Sequence, residues 1–105
     1  MSLYSHDFRQ FIDAVKDKDK DEIIRLGEQE ARNVDLILTS GRKGVVKARG
    51  RCGNYLAVLE GFLFFMKQGT KPMGVNGSDF QLFRPVCENL VKKGIFKETI
   101  MNYFK

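Results

Sequence analysis

Tyr55 to Met66 is a run of 12 residues in which Tyr55, Leu56, Val58, Leu59, Phe62, Leu63, Phe64, Phe65 and Met66 leave almost no polar face. Glu60 and Gly61 are its clear interruptions. A bilayer span needs about 20 apolar residues, so this segment is expected to stay out of a membrane. A helix that is apolar all round has to be surrounded, either by other helices of its own chain or by a partner subunit. The chain has 105 residues, and at that size folding buries roughly 60–70% of the surface of the unfolded chain, enough for one core and no second. The expectation is a single domain over residues 1–105, an all-α compact bundle of about five helices around this central helix. Gly61 inside a helix costs up to about 1 kcal/mol relative to Ala, and close approach of another backbone is the usual compensation.

The neighbouring segments supply helices of the right kind. Phe8, Phe11, Ile12 and Val15 recur at i, i+3, i+4 and i+7, which predicts an amphipathic helix over about His6 to Lys16 with Ser5 as N-cap. Lys16 to Glu22 alternates Lys and acid with no apolar residue and reads as a solvated turn, with Asp19 or Asp21 placed to cap the next helix. That second helix runs from Asp21 to Thr39, with Ile23, Leu26, Gly27, Val34, Ile37 and Leu38 on one side and Gly41 suited to a left-handed cap. Past Gly69, residues 70–77 form a loop, Ser78 and Gln81 match a capping box, and Pro85 requires a fresh helix start in its own first turn. That helix carries Val86, Cys87, Leu90 and Val91 and ends at Gly94, and a last short helix holds Ile95, Phe96, Ile100, Met101 and Phe104.

One stretch also admits a strand reading. Val34 to Thr39 alternates acceptably, and Val45 to Ala48 would be its partner in a short β-hairpin near residues 34–49. The helix is preferred, because strong helix formers run from Asp21 to Arg32 and a lone two-stranded hairpin is marginal.

Charge is distributed unevenly along the chain. The formal net charge is +5, yet residues 1–40 carry six bases against nine acids. Residues 41–54 hold Arg42, Lys43, Lys47, Arg49 and Arg51 with no acid, and residues 55–105 are mildly basic. A basic protein is here a protein with one basic segment. That segment also holds Gly41, Gly44, Gly50 and Gly53, and it reads as a flexible connection in which backbone N–H groups and cations would both face an anion. It lacks the G-x-x-x-x-G-K-[ST] of a P-loop, and Gly50-Arg51-Cys52-Gly53 matches a G-x-x-G pattern only at the level chance provides.

Catalytic chemistry finds little footing. His6 is the only histidine, expected just inside a helix start, and no base stands beside a nucleophile. The acids of the N-terminal third alternate with Lys on solvent faces, and none is isolated in an apolar setting that would raise its pKa. D-x-D-x-D between residues 17 and 21 lacks the Gly and distal Glu of a calcium loop. One His and two Cys cannot complete a zinc site, so neither metal nor cofactor is expected. Cys87 belongs to an apolar helix face. Cys52, beside Arg51 and near Arg49, would ionise more easily if open to solvent.

The cysteine spacing fits a reducing compartment, and no basic start with an apolar stretch follows Met1, so a cytoplasmic protein is expected. Two functional readings follow. In the first, a small non-enzymatic module binds nucleic acid or another polyanion through Arg42, Lys43, Lys47, Arg49 and Arg51, with Tyr55 available to stack on a base. In the second, the apolar helix 55–66 meets a symmetry mate in a homodimer, or a protein partner, with no nucleic-acid role.

Overall fold

A computed structural model describes the backbone of residues 3–39, 43–75 and 77–105, and the side chains of residues 8–36, 55–75 and 77–105. The order is α1 (Leu3–Val15), α2 (Lys20–Thr39), α3 (Lys43–Gln68), α4 (Gly77–Gln81), α5 (Arg84–Lys92) and a C-terminal 3-10 helix (Glu98–Phe104). There is no strand among the described residues, and the all-α expectation holds. The hairpin alternative fails because residues 34–39 and 43–49 lie in α2 and α3.

α3 is the axis of the bundle. Its 26 residues span about 39 Å at 1.5 Å per residue, most of the 46 Å long dimension of the molecule. α2 and α1 pack along it. The core is built on aromatic rings in edge-to-face contact, the geometry that matches ring edges to π faces. Phe62 of α3 is fully buried, with its centroid 5.9 Å from Phe8, 6.1 Å from Phe11 and 5.1 Å from Phe83. One turn on, Phe65 meets Phe80 and Phe104, which stack on each other at 4.7 Å. Phe8, Phe11, Ile12 and Val15 of α1 and Ile23 and Val34 of α2 fill the other side.

The helix ends follow local chemistry. Asp19 occupies the N-cap position of α2, where its carbonyl accepts the first helical bond from Ile23 N–H at 2.9 Å. α5 starts at Arg84 with Pro85 in its first turn and closes at Gly94, whose φ of +76° lets Ile95 N–H reach back to the Leu90 carbonyl at 2.9 Å. Two expected caps are displaced. α1 begins at Leu3, so Ser5 lies within the helix, and α4 begins at Gly77, so Ser78 is in its first turn.

The main correction concerns residues 43–53, expected as a flexible connection and found as the first three turns of α3. Nucleating a helix is costly whereas extending one is not, and the packed half of α3 from Tyr55 onward serves as the nucleus. Each of Gly44, Gly50 and Gly53 opposes the extension by only about 1 kcal/mol. Gly61 is also compensated differently from the expectation. The groups closest to it are side chains, Val75 and Pro72 of the segment after α3.

Candidate nucleic-acid interface

Arg42 lies outside the described residues. Lys43, Lys47, Arg49 and Arg51 have helical backbone in α3, and their side chains fall outside the described set, as do those of His6 and Cys52. The structure therefore places four of the five expected cations on a helix instead of on a loop. Tyr55 is 8% exposed and meets Phe8 edge-on at 6.4 Å, so it serves the core and is not free to stack on a base.

Helical register orders these positions. Residues four apart in an α-helix lie one above another on a single row. Lys43, Lys47 and Arg51 fall on one such row, and the same row continues through Tyr55, Leu59 and Leu63, which are 8%, 0% and 8% exposed. Each four-residue step also turns the position by about 40°, so the series winds about 200° from Lys43 to Leu63, and position 51 shares a side of the helix with the buried Val58 and Phe62. Position 49 stands about 160° around the helix from positions 47 and 51, on the side that carries the exposed Glu60 and Lys67 further along.

The apolar girdle that motivated a partner subunit is met inside the chain. Tyr55, Val58, Leu59, Phe62, Leu63, Phe65 and Met66 are all buried by the chain's own helices, and Phe64 is left 46% exposed. Phe64 sits beside Ala57, Glu60, Gly61, Pro72, Met73 and Gly74 around a shallow groove of about 470 Å³, with Met73 98% exposed at its rim. A larger open groove of about 650 Å³ lies just past the C-terminus of α3, between Gly69 and the C-terminal segment, with Lys97 and Tyr103 as the titratable groups on its wall.

The titratable groups that depart from ordinary values have structural causes. Arg25 bonds Glu22 on the exposed face of α2, which holds the Glu22 carboxyl below its usual range and raises Arg25. Burial pushes the Cys87 thiol up to about 12, with the nearby Glu88 charge adding to the effect. Cys87 is fully buried, as its helix face suggested. No group of three His, Cys, Asp or Glu converges among the described residues, and no described helix is long and apolar enough to cross a membrane.

One polar device escaped the sequence reading. Asn89 of α5 donates through Nδ2 to the Lys16 carbonyl at 2.8 Å, and Lys93 Nζ donates to the Asp17 carbonyl and meets Asp19 at 3.4 Å. The alternating Lys/Asp turn between α1 and α2 is therefore gripped by α5. Only three-dimensional proximity joins these segments, and the residue types alone carry no signal of it.

Compared with known family models, curated proteins and solved structures, the chain matches none.

Proposed function

We propose that this chain is a small non-enzymatic binding module that holds nucleic acid through the cationic first half of α3. The observation that carries the reading is the acid-free run containing Arg42, Lys43, Lys47, Arg49 and Arg51, which equals the whole formal charge of +5. Cations concentrated on one element neutralise phosphates and release condensed counterions, a sequence-independent attraction that falls steeply with salt. A helix adds what a loop lacks, since its backbone holds the cationic positions at fixed spacing and need not itself be ordered on binding. The exposed acids of α1 and α2 belong to other parts of the chain, so the field at this element is not cancelled by alternation within it.

The test is a gel-shift titration with mixed-sequence DNA and RNA fragments at about 50 mM salt, where several phosphate contacts are readable. Retention at that salt that disappears on raising it is the expected result. Absence of retention for both nucleic acids ends the proposal.

A further inference from the structure

Eight of the nine phenylalanines lie in the core or pack against it, and Phe64 is the exception, 46% exposed on α3. It is not an isolated apolar side chain. Ala57, Pro72 and the 98% exposed Met73 line the same groove of about 470 Å³, and Glu60 is the one charged group on its wall among the described residues. An acid there repels phosphate, so the groove suits a flat neutral ring and not an anion.

The side of α3 that carries Phe64 leads back into the cationic segment. At 100° per residue, positions 57, 53, 50 and 49 fall within about 60° of position 64, and position 49 is about 22 Å from it along the helix axis. Ala57, Gly53 and Gly50 place at most a methyl group on that path. A strand whose phosphates are drawn to residues 42–51 therefore meets, further along the same helix, an open aromatic ring beside an acid that keeps phosphates away. Bases within a duplex are stacked on one another, so an unpaired strand is the form that offers one to the ring.

Resting on the nucleic-acid reading above, we propose that the ligand is single-stranded nucleic acid, its phosphates held at the cationic first half of α3 and one base stacked on Phe64 in the groove. Every base has a π face, so the contact favours single strands without reading their sequence.

The chain contains no Trp, so Phe64→Trp puts a lone indole in the groove as a reporter. The probes are a mixed-sequence DNA strand of about 12 nucleotides and the corresponding duplex, at about 50 mM salt. The single strand is expected to quench the indole and to bind Phe64→Trp at least as tightly as the parent chain. It should bind Phe64→Leu, which stays apolar but loses the π face, about tenfold more weakly at an unchanged salt slope. The duplex, held by phosphate contacts alone, should bind the parent and Phe64→Leu equally. Equal affinity of the single strand for the parent and Phe64→Leu, equal weakening of both probes, or an unquenched indole at saturation would overturn the stacking site and leave nucleic-acid binding in place. A change in indole emission on raising the protein concentration alone would assign the groove to a second copy of the chain and overturn it likewise. No binding of either probe would overturn both readings.

Discussion

Gly61 shows how one missing Cβ shapes this molecule. A Cβ there would run into Val75 Cγ2, on a β-branched side chain with little freedom to move aside, and would lie 3.5 Å from Pro72 Cγ. Gly61→Ala gains up to about 1 kcal/mol of helix propensity and loses about 1–3 kcal/mol to overpacking, so net destabilisation of about 1 kcal/mol is expected in urea denaturation. Gly77→Ala is the matched control, since nothing lies within 4 Å of its added Cβ, and it should be neutral or slightly stabilising. Cys87 supports a prediction of a different kind. Its thiol is pushed from an ordinary 9.0 up to about 12 by burial, so the unfolded chain loses that proton first as pH rises. The stability Cys87 contributes is complete below about pH 9 and declines as pH climbs toward 12. The same burial should protect it from a thiol reagent at neutral pH in a Cys52→Ser background until the chain is unfolded, and labelling of the native protein would contradict the placement.

At the scale of elements, α3 is where sequence and structure diverge most usefully. The stripe Phe8, Phe11, Ile12, Val15, the Pro85 helix start and the Gly94 stop were all readable, because each depends on residues within a turn or two of one another. The helical state of residues 43–53 was not readable, because glycine content argues locally for a loop while the packed half of α3 supplies the nucleus from outside the segment. The grip of Asn89 and Lys93 on the α1–α2 turn was invisible for the same reason. Two substitutions test these elements. Gly50→Pro, in the second turn of α3, should cost about 3 kcal/mol and reduce helical ellipticity, whereas in a loop it would be nearly silent. Asn89→Ala removes the side-chain donor to the Lys16 carbonyl and should cost about 1 kcal/mol, read as a lower denaturation midpoint with an unchanged slope.

Across the whole molecule, the cationic segment and the central residues of the aromatic core are two halves of one helix. The first half of this helix carries Lys43, Lys47, Arg49 and Arg51, and its second half carries the packed Tyr55, Leu59 and Leu63. Its candidate residues were legible in the sequence as an acid-free run, but their grouping was not, since a loop imposes no register and a helix does. The +5 net charge by itself says little about function, because several of the remaining cations pair with acids, as Lys67 does with Glu28 at 3.4 Å and Arg84 with Glu88 at 2.8 Å. The decisive comparison is therefore between two variants that each remove three positive charges, Lys43→Gln/Lys47→Gln/Arg51→Gln and Lys92→Gln/Lys97→Gln/Lys105→Gln, the second set taken from exposed positions of the C-terminal region. Affinity for a mixed-sequence duplex at about 50 mM salt should fall about tenfold or more in the first variant and change little in the second. Equal weakening of the two would mean that overall charge, and not the first half of α3, attracts nucleic acid.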